Sequence, residues 1–308
     1  MPRKSRKLMA LAAVVAAVLP LSACGGDPTA GGGTGDKSTI VIGSANFPEN
    51  ELLAEIYAQA MEAKGVEVQK KLNIGARELY LKALKDGSID MIPEYNGALL
   101  AALSPNGEVP SDVSAPQEVY DALQKVLPEG TETLDQAAAE DKDTLTVTKE
   151  TADKYHLQSI DDLKPVASKL VVGAGPEFKT RFQGLVGLEK EYGITFKQFK
   201  PLDPGGPLTK AALKKGDIQV ANVFSTDSSI ETEGWVVLDD TKNLFLAQNI
   251  VPIVRSSKVT DDVKSAANEV SAALTTDDLT KYLAMVQVDK KDPSEVAKQY
   301  LADKGIVS

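Results

Sequence analysis

The stretch TIVIGSANFPENELLAEIYAQAMEAKG, residues 39–65, decides the fold class of this chain. Its apolar run Ile40-Val41-Ile42 is typical of a short buried strand, and small polar residues follow it as a turn. Asn46, with Glu49 three positions later, predicts a capping box at the start of a helix. Leucine, isoleucine and tyrosine then recur on one helical face until Gly65 ends the helix. The stretch therefore predicts a strand, a turn and an amphipathic helix.

The residues that follow repeat this alternation of strand and helix. Val66–Leu72 predicts a second strand and Glu78–Lys85 a second helix. Ile89–Ile92 predicts a third strand, which Pro93 ends because proline has no N–H for a sheet ladder. Strands that alternate with helices predict an α/β fold with mostly parallel sheets flanked by helices.

A short segment occurs twice in similar form, which indicates two related halves. Residues 83–91 read ALKDGSIDM, and residues 212–220 read ALKKGDIQV. Each copy combines a helix end, a glycine stop and the start of a strand. Any α/β protein can repeat this local pattern, but the matched letters favour a pair of pseudo-symmetric lobes.

The N-terminus carries the marks of an exported protein. Basic residues at Arg3–Lys7 precede the apolar run Leu8–Leu19, so residues 1–23 are predicted to be a signal peptide. The segment Leu21-Ser22-Ala23-Cys24 resembles a bacterial lipobox, which makes Cys24 the expected site of lipidation. An ordinary secretory signal is the alternative. Residues 24–36 are rich in glycine and threonine and predict a flexible tether.

Charge and composition exclude several classes of function. Residues 1–23 hold four basic and no acidic residues, so their removal lowers the net charge from −10 to −14. This charge argues against nucleic acid and anionic membrane surfaces as partners. The chain has one histidine, His156, and one cysteine, so neither a Cys/His metal site nor a disulfide is expected. No cofactor is expected either, because Gly173 and Gly175 lack the third glycine of a dinucleotide site.

Six separated motifs resemble the substrate-binding lipoproteins of osmoprotectant ABC importers, the glycine betaine, choline and proline-betaine type. They occur in order over nearly the whole chain, at 43–49 (GSANFPE), 92–97 (IPEYNG), 173–178 (GAGPEF), 203–209 (DPGGPLT), 223–227 (VFSTD) and 248–252 (QNIVP).

The resemblance implies a two-lobed fold and a role outside the cytoplasm. It implies a type II-like periplasmic-binding-protein fold, in which two crossing segments join two α/β lobes. The first lobe is expected to hold 37–145 and 250–308, and the second 146–249. The solute would be captured between the lobes and delivered to an ABC permease. We expect a monomer, exported and lipid-anchored to the outer face of the cell membrane.

The resemblance also implies a partly altered binding site. In members that bind quaternary ammonium compounds, aromatic faces attract the cation, and Tyr95 and Phe224 occupy two such positions. Ala45 and Ala98 stand where carboxylate-binding members carry lysine and threonine, which is expected to lower the affinity for betaine. Asp143 could attract a cation by its charge, which favours choline or carnitine over a compact zwitterion. The expected ligand-binding residues are Asn46, Phe47, Tyr95, Asn96, Asp143, Arg181, Phe224, Thr226 and Gln248.

Three alternatives remain open from the sequence. The same scaffold could bind a polar or aromatic molecule without a cation, or could serve as a ligand-sensing lipoprotein. An extracytoplasmic enzyme would need two carboxyl groups in the cleft, for which Glu94 and Glu177 are the candidates. No recognised catalytic motif surrounds these two residues, so we expect no enzymatic activity.

Overall fold

Ten strands and ten helices build the part of the chain that the structure, a computed structural model, describes: residues 39–110 and 112–307. The strands are β1 (Thr39–Gly43), β2 (Glu67–Lys71), β3 (Met91–Tyr95), β4 (Thr131–Thr133), β5 (Asp143–Val147), β6 (Val171–Ala174), β7 (Gln198–Pro201), β8 (Val220–Phe224), β9 (Val236–Val237) and β10 (Ile250–Arg255). The helices are α1 (Pro48–Ala63), α2 (Arg77–Asp86), α3 (Asn96–Leu103), α4 (Pro116–Gln124), α5 (Lys149–Tyr155), α6 (Pro207–Lys215), α7 (Ser229–Thr232), α8 (Asp261–Ala273), α9 (Thr276–Gln287) and α10 (Pro293–Asp303).

The strands form two sheets with the same internal arrangement. The first has the order β2-β1-β3-β10-β4 and the second β7-β6-β8-β5-β9. In each sheet three parallel strands are followed by an antiparallel strand that comes from the other half of the chain. The repeated segments 83–91 and 212–220 occupy equivalent places, where α2 leads to β3 and α6 leads to β8. The expected α/β fold with two pseudo-symmetric lobes is confirmed.

Each lobe has its own apolar core on both faces of its sheet. In the first lobe, Ile40 and Ile42 pack towards α1 and α8, whereas Ile92 packs in a separate cluster with α2 and α4. The second lobe has a larger cluster around Val172 and a smaller one around Leu213. Apolar residues in consecutive positions are typical of parallel strands that are covered on both faces.

Helix α1 begins one residue later than the sequence predicts, and its capping box is not formed. Phe47 is the N-cap and Pro48 the first helical residue, with no side chain bonded to the cap position. Asn46 lies outside the helix, so Glu49 cannot form the reciprocal hydrogen bond of a capping box with it. The Glu49 carboxylate instead accepts hydrogen bonds from Tyr95 Oη and Thr226 Oγ1. The expected Asn46–Glu49 box is therefore wrong, because long-range contacts take the Glu49 side chain.

Pro93 lies inside β3 and does not end it. The strand runs to Tyr95, and Pro93 stands directly opposite Pro252 in the antiparallel pair with β10. Because neither proline can donate a hydrogen bond, the two occupy a non-hydrogen-bonded pair of the antiparallel ladder. The chain continues straight from β3 into α3.

Two crossing segments, residues 134–142 and 238–249, connect the lobes and contact each other. Ile250 N donates to Ala139 O at 3.0 Å, and Asp141 N donates to Gln248 O at 3.2 Å. The expected change of lobe after residue 145 falls inside β5, which pairs with β8 from Asp143 onward. The second sheet therefore begins at Asp143, a strand start that the local pattern does not mark.

The expected signal peptide, the tether and Cys24 lie outside the described residues. Within residues 39–110 and 112–307, no helix is long and apolar enough to cross a membrane. His156 is exposed at the C-terminal end of α5, with the left-handed backbone of a helix cap (φ 55°).

Candidate ligand-binding site

A cleft lies between the two sheets, next to the crossing segments. Strands β1, β3, β6 and β8 end at its walls, as expected for α/β sheets that bind ligands at the carboxyl ends of their strands. Seven of the nine expected ligand-binding residues line it: Asn46, Phe47, Tyr95, Asp143, Arg181, Phe224 and Gln248.

The other two expected residues are buried behind the cleft and do not line it. The Asn96 side-chain oxygen accepts hydrogen bonds from Gly97 N and Asn249 N, so this residue joins α3 to a crossing segment. Thr226 is 1% exposed, and its hydroxyl donates to Glu49 at 2.6 Å. Both residues hold the walls of the cleft in place.

Three aromatic rings form one continuous group in the cleft. The Phe47 ring centre lies 6.0 Å from that of Tyr95 and 5.3 Å from that of Phe224, with tilts near 30°. Phe47 and Tyr95 belong to the first lobe and Phe224 to the second, so the group spans the cleft. Gly205 (φ 60°) lies beside the Phe224 ring, where an added Cβ would come within 2.8 Å. The glycine lets the loop before α6 pack directly on this ring.

Carboxylates are placed on the second-lobe side of the cleft. Asp143 accepts hydrogen bonds from Asn222 Nδ2 at 2.9 Å and from Gln248 Nε2 at 3.2 Å, which fix its orientation. Glu177 also lines the cleft, and among the described residues its carboxylate has neither a hydrogen bond nor an ion pair. Neither acid is in a salt bridge with an arginine or lysine.

Both arginines of the cleft are already paired with glutamates. Arg77 donates twice to Glu94, at 2.8 and 3.0 Å, and Tyr80 Oη donates to the same carboxylate. Burial alone would lower the pKa of Arg77, but the charge of Glu94 raises it above its usual value. Arg181 donates twice to Glu78 across the cleft. Glu94 is therefore a buried ion-pair partner, which removes it from the carboxyl pair that the enzyme alternative requires.

The cleft contains lining residues that the sequence reading missed: Arg77, Tyr80, Asp141, Phe178, Gln183 and Asn222. Asn222 could have been found, because it is the one polar residue in the apolar strand β8. Phe178 stands in one of the six motifs. Arg77 and Tyr80 carry no local signal beyond an amphipathic helix.

A buried carboxyl pair lies beneath the aromatic rings. Glu49 and Asp141 accept hydrogen bonds from the same residue, Thr226, and both are 2% exposed. Burial raises the pKa of Glu49, and burial together with the charge of Glu49 raises the pKa of Asp141 well above its usual value. Asp141 also accepts from Thr226 N at 3.0 Å. The pair thus ties the first lobe, a crossing segment and the second lobe together.

The lobes are closed on each other in this structure. Besides the Arg181–Glu78 pair, Lys190 Nζ lies 2.8 Å from Glu108, and Lys210 Nζ donates to Gln287 Oε1 at 3.0 Å. Each of these contacts joins the second lobe to the first. Among the described residues, no group of three or more His, Cys, Asp or Glu side chains could hold a metal ion.

Comparison with known proteins gives a match over most of the chain. The family model described as the substrate binding domain of ABC-type glycine betaine transport system matches residues 38–303. The carnitine transport binding protein OpuCC of Listeria monocytogenes is 27% identical over 281 residues, which cover 87% of this chain and 88% of that protein. The glycine betaine-binding protein YehZ of Escherichia coli is 27% identical over 280 residues, covering 87% and 91%.

Solved structures show the same fold. A glycine betaine/carnitine/choline ABC transporter structure has a TM-score of 0.67 at 24% identity, covering 87% of this chain and 99% of its own. Apo YehZ from Escherichia coli has a TM-score of 0.61 at 26% identity, covering 88% and 100%. Lactococcal OpuAC in its closed conformation with glycine betaine has a TM-score of 0.57 at 17% identity, covering 87% and 96%.

Proposed function

The chain belongs to the family of substrate-binding domains of ABC-type glycine betaine transport systems, and from this premise we propose that it is an extracytoplasmic receptor for a quaternary ammonium solute. The solute is captured in the cleft between the lobes and delivered to the permease of an ABC importer. The protein carries out no chemistry on it.

The observation that carries this proposal is the combination of aromatic faces and unneutralised carboxylates in one cleft. A quaternary ammonium group has no N–H to donate, so aromatic faces and negative charge are what can recognise it. Phe47, Tyr95 and Phe224 supply the faces. Asp143 and Glu177 add negative charge, because Glu94 and Glu78 already neutralise the two arginines. The cleft is thus built for a cation.

The names of the relatives agree with this chemistry. OpuCC is named for carnitine and YehZ for glycine betaine, and both ligands carry a trimethylammonium group. A ligand carboxylate would need a cationic partner, which is worth about 1.5–3 kcal/mol when charge-assisted. A ligand carboxylate has few partners in this cleft, because both arginines are paired with glutamates. Alanines also stand in place of the lysine and threonine, at Ala45 and Ala98. Choline fits the cleft better than glycine betaine.

Titration calorimetry with a matched pair of ligands tests the proposal. Choline and its uncharged carbon analogue 3,3-dimethylbutan-1-ol have the same shape and hydroxyl group, and differ in the positive charge. We expect choline to bind and the analogue to bind at least about tenfold more weakly, a loss of about 1.4 kcal/mol. Titrations with carnitine, glycine betaine and proline betaine, which all carry a carboxylate, measure how much that group changes the affinity. Equal binding of choline and the analogue would show that the cleft takes an uncharged molecule.

The membrane attachment is part of the same proposal. We place a lipid on Cys24, because the strongly acidic mature chain has no electrostatic attraction to a membrane and a stable anchor needs two or more acyl chains. The receptor then works as a monomer tethered by residues 24–36. Cys24→Ala is expected to move the protein from the membrane fraction to the soluble exported fraction. Retention of that variant on the membrane would rule the lipid anchor out.

A further inference from the structure

One buried amide in the cleft has no hydrogen-bond partner. Gln183 is 8% exposed, and its Nε2 atom is buried without a partner among the described residues. The other polar side chains at the base of the cleft are satisfied, since Asn222 and Gln248 both donate to Asp143. Leaving a buried donor unpaired is costly for a folded protein. A buried donor without a partner requires an explanation, and in a binding cleft a ligand atom can supply the missing acceptor.

The position of Gln183 is held by its surroundings. The residue lies at a kink in the turn Phe182–Val186, where Gln183 and Gly184 leave the helical backbone conformation, directly after the cleft residue Arg181. An added Cβ on the next residue, Gly184, would come within 2.1 Å of Phe178 O, so the turn is packed directly on the cleft wall. The backbone next to Gln183 is therefore fixed against the cleft wall. The amide lies where the cleft joins a neighbouring cavity that Lys242 and Leu244 help to line.

We propose that Gln183 is a specificity-determining residue that donates its side-chain N–H to an uncharged oxygen of the ligand. The inference rests on the proposed function and narrows it. The ammonium group of the ligand lies on the Phe47 and Phe224 rings, and its oxygen reaches the Gln183 amide on the second lobe. The preferred ligands are quaternary ammonium alcohols.

The charges of the cleft explain why this oxygen is uncharged. The Gln183 amide is neutral, and the nearby cations among the described residues already have partners. Arg181 is paired with Glu78. Lys242 Nζ donates to Glu191 O and lies 3.9 Å from Asp161. Glu177 lines the same wall, and its negative charge would repel a ligand carboxylate. A hydroxyl group is uncharged, so it needs no cationic partner and is not repelled by Glu177. Its oxygen can accept a hydrogen bond from the Gln183 amide.

The test compares two ligands on two proteins by titration calorimetry. Choline and propyltrimethylammonium have the same size and charge, and differ in a hydroxyl group against a methyl group. We expect the wild-type protein to bind choline about tenfold more tightly. In Gln183→Met, which keeps the size of the side chain without its donor, we expect this preference to vanish, while the affinity for propyltrimethylammonium is kept or raised.

Control variants separate a binding role from a structural one. Gln198→Met makes the same change on the exposed strand β7 and is expected to leave both affinities unchanged. Gln183→Met is expected to melt no lower than wild type without ligand, because it removes an unsatisfied buried donor. Gln183→Asn keeps the amide but shortens it by one methylene, and is expected to lose the preference for choline as well.

The possible results have distinct meanings. If wild type binds both cations equally, or if Gln183→Met keeps the preference for choline, the inference about Gln183 is wrong while the cation receptor stands. If neither cation binds to the wild type, the proposed function itself fails, and the inference fails with it.

Discussion

At the scale of single residues, the aromatic side chains of the cleft differ in how much they contribute to the hydrophobic core. Tyr95 is 5% exposed, packs in the core of the first lobe and donates its hydroxyl to Glu49. Replacing it by alanine would open a cavity in that core as well as remove a ligand contact. Phe224 is partly exposed and belongs to neither core of its lobe. Phe224 is therefore the better residue for measuring what an aromatic face contributes.

We expect Phe224→Leu to weaken choline binding by about 2- to 30-fold, because a cation on an aromatic face gains about 0.5–2 kcal/mol. Phe224→Ala should weaken it further through lost apolar contact. The dissociation constants come from titration calorimetry, and unchanged melting temperatures without ligand are the control for folding. A leucine variant that binds as tightly as wild type would show that the ring acts only through its size.

At the scale of secondary-structure elements, the start of α3 is the tightest junction between an element and the crossing segments. A Cβ on Gly97 would lie 2.3 Å from Ala247 O and 2.8 Å from Leu246 Cβ. The Asn96 side chain joins the same two pieces of chain through its bond from Asn249 N. Only a residue without a side chain lets the helix approach the crossing segment this closely.

Gly97→Ala is accordingly expected to destabilise the protein by about 1–3 kcal/mol, since the clash involves backbone atoms that cannot turn away. The change would appear as a lower urea midpoint with a similar slope. Ala102→Ser, on the exposed side of the same helix, is the matched control and should leave the midpoint nearly unchanged. Equal midpoints for Gly97→Ala and wild type would mean that the crossing segment can shift to admit the methyl group.

At the scale of the whole molecule, the Glu49–Asp141 pair makes the stability of the fold depend on pH. Glu49 belongs to the first lobe, Asp141 to a crossing segment, and Thr226 of the second lobe bonds to both. Two buried carboxyl groups in contact favour the protonated form, so both pKa values are raised. The folded protein therefore holds protons that the unfolded chain has released at the same pH.

The sign of the pH dependence follows from proton linkage. A raised folded-state pKa gives stability that is complete below the ordinary carboxyl pKa of about 4 and is lost as pH rises through the raised values. Groups with lowered pKa, such as Glu78 and Asp278, act in the opposite sense and at lower pH. Above about pH 5 we thus expect the carboxyl pair to lower the melting temperature as pH rises.

Asp141→Asn tests this, because it removes one carboxyl group and keeps the oxygen that accepts from Thr226 N. We expect the variant to gain melting temperature relative to wild type as pH is raised from about 5 to about 8 in calorimetric scans. Glu62→Gln, an exposed position on α1, is the matched control. Parallel curves for Asp141→Asn and wild type would show that the pair does not hold a proton.

Local sequence patterns were sufficient for the features that depend on neighbouring residues. Periodicity and turn signals predicted the α/β class, the repeated segments predicted two equivalent lobes, and the six motifs predicted the family. The same local logic failed at the Asn46–Glu49 box and at Pro93, where partners distant in the chain decide the conformation.

The charge balance and hydrogen bonding of the cleft depend instead on how the two lobes pack together. The partners of Arg181 and Glu49 lie 103 and 177 positions away in the chain. Whether an arginine is neutralised, a carboxyl pair is buried or the Gln183 amide is left without a partner depends on distances across the cleft. Those distances arise when two lobes close on each other, and no local pattern of residues records them, because an electrostatic contact depends on separation in space.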